Sequence, residues 1–130
     1  MKRHSHFPLS EVDFGVYSDE VIFSVRSFDG PMSYPLSIAY DPTPPPGMTS
    51  HMRVEFGDQN WGSHYGIIDR LIVSPNQFVI VFASDPMPVP WLEGTVTFDW
   101  RVIEDGKDLI FNALEWICDK CSAPFERRSA

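Results

Sequence analysis

Apolar and polar residues alternate with a period of two along most of this chain, up to about residue 103. Val12, Phe14 and Val16 alternate with Asp13 and Gly15, and Val21, Phe23 and Val25 with Ser24 and Arg26. Tyr34, Leu36, Ile38 and Tyr40 are separated by residues that include Ser37 and Ala39; Met52, Val54 and Phe56 are separated by Arg53 and Glu55. Successive side chains of a strand point to opposite faces, so each run predicts a strand with one face buried. Residues 95–103 repeat the pattern, with Val96, Phe98, Trp100 and Val102 inward and Thr97, Asp99 and Arg101 outward.

Two segments are more apolar. Over residues 65–73, Tyr65, Ile67, Leu71 and Val73 share one face and Ile68 and Ile72 the other. Over residues 76–83, Phe78, Ile80 and Phe82 oppose Val79, Val81 and Ala83. A strand that is apolar on both faces is covered on both, which predicts a central position. The intervening Ser74-Pro75-Asn76-Gln77 is a turn signal, with the φ of Pro75 already set for it, so the two segments predict a hairpin.

After Asp105-Gly106 the period changes. Leu109, Ile110, Ala113, Leu114 and Ile117 recur at spacings of three and four, predicting a helix over residues 108–120 that Pro124 ends at the latest. Asp105 or Asp108 suits its N-terminus. An apolar stripe on one helix needs a sheet face to bury against. The predicted architecture is therefore α+β, with two layers: a mostly antiparallel sheet and one C-terminal helix packed on a face.

Residues 41–47 and 85–91 are rich in proline, which lacks the N–H a sheet interior needs. Both read as stiff surface loops, although a proline-rich stretch can also serve as a ligand for an aromatic groove. A domain linker is the competing reading of the first, but neither half holds enough elements to stand alone. Residues 1–130 thus read as a single domain whose first ten residues are flexible. With 130 residues and 43% hydrophobic content, the chain has ample material for a core.

Charge narrows the choice of partners. The formal net charge of −8 argues against direct binding of nucleic acid, which needs a basic patch, and suits a basic protein partner. No apolar run is long enough to span a membrane. The basic start, Met1-Lys2-Arg3, is followed by Pro8, Ser10, Glu11 and Asp13 rather than an apolar stretch, so it does not read as a secretory signal. With only two cysteines, this favours the cytoplasm.

Those cysteines, Cys118 and Cys121, have the C-x-x-C spacing but lie at the C-terminal end of the predicted helix, where the dipole opposes thiolate formation. A structural zinc needs four ligands, and His4 and His6 could add only a pair from the N-terminal tail. The expectation is no metal and no cofactor, with the cysteines serving as small apolar residues. No phosphate-binding or dinucleotide-binding glycine motif is present, and no serine or cysteine is placed to suggest a nucleophile triad with His51 or His64, although such triads are defined by geometry. The chain reads as a binding protein rather than an enzyme. An enzyme assembling His51, His64 and carboxylates by geometry alone remains the third alternative.

The segment Glu55-Phe56-Gly57-Asp58-Gln59-Asn60-Trp61-Gly62-Ser63-His64-Tyr65-Gly66 leaves one strand and enters the next. It combines glycines with polar side chains beside Trp61, as a recognition loop does; alternatively, Asp58 and Asn60 bond their own backbone and Trp61 covers the core edge. The candidate partner-binding residues are Glu55, Asp58, Gln59, Trp61 and Tyr65, with Asp99 on an outer strand face.

The same segment carries a family resemblance. An Asp58-Gln59 pair, a short glycine and aromatic stretch, the step Tyr65-Gly66-Ile67-Ile68, the strand Phe78-Val79-Ile80-Val81-Phe82, then Val96-Thr97-Phe98 and a closing helix follow in that order. This resembles the tenth family of immunity proteins from bacterial polymorphic toxin systems, over residues 51–118. Ile67 stands where the family pattern has a second glycine. The resemblance implies an intracellular, non-enzymatic protein that binds and neutralises a cognate toxin, and many such toxins are nucleases with basic active sites. The alternative from the residues alone is a small-molecule-binding domain, with a pocket between sheet and helix lined by some of the four Trp and ten Phe residues.

Overall fold

A computed structural model describes residues 4–8, 11–17, 20–29, 32–57, 62–83, 89, 92–99 and 107–128. The alternating runs form strands. β2 (Glu11–Tyr17), β3 (Glu20–Asp29), β4 (Met32–Tyr40), β5 (Met52–Phe56) and β6 (Ser63–Tyr65) make an antiparallel meander in sequence order. A second sheet has the order β1-β9-β8-β7-β10, from β1 (His4–Pro8), β7 (Ile68–Val73), β8 (Gln77–Phe82), β9 (Leu92–Asp99) and β10 (Phe125–Arg127). Its three central strands are antiparallel, whereas β1 joins β9 and β10 joins β7 in parallel. The fold is α+β and mostly antiparallel with a single C-terminal helix, α1 (Lys107–Cys121).

Where the periodicity suggests one sheet, the chain builds two. The division falls at Gly66. Tyr65 closes β6 in the meander, and Ile68 opens β7 in the other sheet. Gly66 adopts φ +70°, and a Cβ there would lie 3.1 Å from Ser50 Cβ, so both the backbone angle and the space call for glycine. Residues 65–73 are therefore not one strand. A register shift between Ile68 and Arg70 also turns Ile68 to the same side as Leu71 and Val73, and all three join the core. The hairpin itself forms, with Ser74 N–H donating to Gln77 O across its turn at 2.9 Å. As its two apolar faces predict, β8 is central in its sheet.

Within the first ten residues, His4–Pro8 form the strand β1. Phe7 is 4% exposed and stacks on Phe98 with ring centroids 5.4 Å apart. Period-two reasoning could not assign so short a segment, because its partner strand lies far along the chain. The strand predicted over residues 95–103 begins earlier, at Leu92, and its last four residues, 100–103, lie outside the described ones. Residues 85–88, 90 and 91 of the second proline-rich stretch are likewise outside them.

The inner faces of the two sheets share one core. Phe23 of β3 meets Phe78 of β8 edge-on at 5.6 Å, and Phe56 of β5 meets Phe82 of β8 at 5.9 Å. The helix packs on β3, β4 and β5 of the meander and touches β10 of the other sheet, so sheet and helix together cover the meander's inner face. Phe111, Ala113, Leu114, Ile117 and Cys118 are its buried stripe. At its end Ala123 N–H donates to Cys118 O at 2.8 Å and Ser122 N–H to Asp119 O at 3.3 Å, with Ser122 at φ +57°. This pair of bonds satisfies two of the carbonyls that a helix end leaves open.

Candidate functional site: an acidic row across the meander

The outer face of the meander carries a row of ionic and polar side chains drawn from four neighbouring strands. Register explains it. Arg53 on β5 lies opposite Ala39 on β4 and Tyr65 on β6. Ala39 is small and buried, so the guanidinium passes over it to Glu20 on β3. Both Nη atoms donate to the Glu20 carboxylate, Nη2 at 3.0 Å to Oε2, which makes a two-pronged pair. Nη1 also reaches Asp41 Oδ2 at 3.4 Å, just past the end of β4. Nε lies 2.8 Å from Glu55 Oε1 as an ion contact, without the alignment of a hydrogen bond.

Asp41 anchors the row. Its Oδ2 accepts the Tyr65 hydroxyl at 2.7 Å and its Oδ1 accepts the Thr43 N–H at 2.9 Å. Burial alone would push the Asp41 carboxyl up, but these two hydrogen bonds and the Arg53 charge outweigh it and hold it below its ordinary value. Burial first, and then the bond to Asp41, raise the Tyr65 phenol, which therefore keeps its proton. The hydrogen bonds to Glu20 raise Arg53 further above an already high value. Asp41 N–H donates to His51 O at 2.8 Å, and His51 Nδ1 donates back to Asp41 O at 2.8 Å. This double tie closes the base of the first proline-rich loop, and it fixes the His51 ring as the Nδ1–H tautomer.

Three carboxylates, Glu20, Asp41 and Glu55, thus surround the Arg53 guanidinium, and Arg26, lining a shallow depression beside Glu55, is a second cation on the same face. The depression has a volume of about 170 Å³ and is lined also by Ser24, Pro35, Ser37 and Gly57 among others. It is smaller than the ~300 Å³ at which small-molecule sites begin. Two wider, open clefts of about 340 and 350 Å³ lie beside Phe111 and at the C-terminal end of the helix, and among the described residues Phe111 is the one aromatic residue lining either. Phe23, Phe56 and Phe78 fill the core instead.

Of the residues that the sequence singles out, Glu55 and Tyr65 come together in this row, joined through Arg53 and Asp41. Asp58, Gln59 and Trp61 lie outside the described residues; the flanking Gly57 and Gly62 both take positive φ, at 69° and 74°. Asp99 is not on an open face. It is 8% exposed and sits at the end of β9, opposite Gln77 in the other sheet. Following Phe98, whose ring is in the core, it leaves that sheet on the far side of the sandwich from Glu55. Sequence reasoning misses Glu20 and Asp41, because only the pairing of β3, β4 and β5 brings them to Arg53. The outward placement of Arg53 and Glu55 on one strand is the legible part of the signal.

Trp116 is the exposed tryptophan among the described residues, at 41%. It meets Tyr40 edge-on at 5.5 Å, and the Lys120 ammonium lies 5.6 Å from its ring centre. Burial first, then neighbouring Cys121 and Glu115, pushes the Cys118 thiol up to about 12, and burial pushes Cys121 up to about 11. Both are free thiols held protonated at neutral pH. Among the described residues no group of three or more His, Cys, Asp or Glu side chains could hold a metal ion. No helix among them is long and apolar enough to cross a membrane.

No family model, no curated protein and no solved structure matches this chain.

Proposed function

We propose that this chain is a non-enzymatic immunity protein that binds and neutralises a cognate bacterial toxin in the cytoplasm, with the outer face of the β2–β6 meander as the docking surface. The acidic row carries the proposal. Its three carboxylates around one guanidinium lie on a sheet face, within a chain of net charge −8, and such a face attracts a basic partner. Tyr65 of the resembling motif and Glu55 just before it belong to that row. Asp58, Gln59 and Trp61, in the loop between β5 and β6, are the proposed continuation of the face.

The chemistry of the row supports binding over catalysis. Asp41 stays ionised and Tyr65 stays protonated, joined by their hydrogen bond, with Thr43 and Arg53 completing the partners of Asp41. The test is co-purification with the products of neighbouring genes, followed by association kinetics at two salt concentrations. Glu55→Gln slows association at low ionic strength and has much less effect near ~0.15 M salt, where charges are screened beyond ~8 Å. Trp61→Ala speeds dissociation. If no encoded neighbour binds, the immunity reading falls. If one binds and both variants behave as wild type, the binding face lies elsewhere.

A further inference from the structure

We propose that the cleft between β10, the turn after β7 and the first half of α1 binds a small aromatic carboxylate, its ring against Phe111 and Pro75 and its carboxylate on Arg127. The cleft has a volume of about 340 Å³ and is lined by Val73, Pro75, Phe111, Arg127 and Arg128. Small-molecule sites occupy ~300–1,000 Å³, so this one has room for a ligand of one or two rings.

Register builds the site. β10 runs parallel to β7 with Arg127 opposite Val73, so the two side chains stand on the same side of the sheet. Val73 and Phe111 are buried members of the core and give the cleft an apolar floor. Pro75, in the turn after β7, adds an apolar wall. The Arg127 guanidinium lies over the Phe111 ring, 5.8 Å from its centre. An apolar floor with one oriented polar group is the usual make-up of a site for a small ligand.

Arg127 is held in place with donors to spare. Its Nη2 donates to Asn112 Oδ1 at 2.6 Å and lies 3.2 Å from Glu115 Oε2. It makes no other hydrogen bond or ion pair among the described residues, so Nη1 and Nε remain for a ligand. The Phe111 ring and Asn112 orient the guanidinium plane, and an oriented guanidinium pairs with a carboxylate through two N–H···O bonds. Glu115 is 56% exposed, and so open a surface pair is too weak to withhold Arg127.

The surrounding charges select the ligand. Each of the two arginines lining the cleft has a glutamate 3.2 Å away, Glu115 beside Arg127 and Glu126 beside Arg128. These carboxylates repel a doubly charged phosphate more than a singly charged acid. The apolar floor favours a flat ring over a small hydrated anion. The cleft shares no residue with the acidic row, so it stands or falls independently of the proposed function.

The test is an NMR titration of the full, isotopically labelled chain with naphthoate. Wild type shows saturable shifts centred on Val73, Phe111 and Arg127, with a dissociation constant on the order of 0.1–1 mM. Naphthalenemethanol keeps the rings, lacks the charge and binds about tenfold more weakly. Arg127→Gln weakens naphthoate by about the same tenfold, leaves the alcohol unchanged and melts as wild type. Arg127→Lys, which keeps the charge without the planar fork, falls between. The absence of saturable shifts up to about 10 mM, shifts centred on another face, or equal affinity for acid and alcohol overturns the proposal. So does an Arg127→Gln chain that binds naphthoate as wild type does, and tighter binding of naphthyl phosphate overturns the choice of a singly charged ligand. The comparison of acid with alcohol uses wild type alone, so it decides the matter even where a variant does not fold.

Discussion

The Tyr65 hydroxyl donates to Asp41 Oδ2 at 2.7 Å and so ties the last strand of the meander to the residue just beyond β4, across the width of β5. Tyr65→Phe keeps the ring and deletes the hydroxyl, with its bond to Asp41 and its interaction with Arg53. Hydrogen bonds to charged groups contribute about 1.5–3 kcal/mol, so the variant should lose about this much. A fall in the urea midpoint with an unchanged slope is the expected result. An unchanged midpoint would mean that Thr43 and Arg53 satisfy the Asp41 carboxylate without Tyr65.

The same carboxylate sets an acid limit. Asp41 is held below its ordinary value of 3.8, so its ionised form is favoured more in the folded chain than in the unfolded one. Its stabilising contribution is complete above that ordinary value and is lost as pH falls through the lower, folded value. Melting temperature should therefore drop as the solution is acidified below about pH 4. Asp41→Asn should begin from a lower plateau at neutral pH and lose less on acidification. A variant with the wild-type acid profile would place the acid-sensitive groups elsewhere.

Leu114 is fully buried at the centre of the helix stripe. Replacing it with alanine leaves a cavity where α1 meets the sheets and should cost about 2–5 kcal/mol. Chemical denaturation measures this directly, and a loss well under 1 kcal/mol would show that the helix is not packed as described.

Ser122 holds a left-handed angle, φ +57°, immediately after the helix. A residue with a Cβ pays roughly 1–2 kcal/mol for that conformation, while glycine adopts it freely but loses more entropy on folding. The balance favours Ser122→Gly by about 0.5–1 kcal/mol. Its melting temperature should rise by a few degrees, and Ser122→Val should lower it.

Local pattern carries much of this fold. The alternation in residues 21–25, 36–40 and 52–56 is visible because each strand buries one face, and the helix stripe is visible because Leu114 and Ile117 keep a period near 3.6. Less legible are the features set by distant partners. β1 and β10 are short and gain their order from β9 and β7, and the change of sheet at Gly66 looks like continued alternation in the sequence. Half of the acidic row can be read from Arg53 and Glu55 on one strand. Glu20 and Asp41 become its members only through pairing across β4. Asp99 shows the opposite failure: alternation gives its side of the sheet correctly, but says nothing of what covers that side.

The parallel attachment of β1 and β10 imposes an order of assembly on the chain. The meander joins neighbours in sequence and can zip up as soon as its strands exist, without waiting for a partner from far along the chain. The second sheet cannot do so, since Phe7 must wait for Phe98 and Leu71 N–H for Pro124 O before either outer strand has a place. During synthesis the N-terminal strand is thus made first and seated late. In the interval the half-built core is open on the side that Phe7 will close, and this is when the chain is most exposed to mispairing.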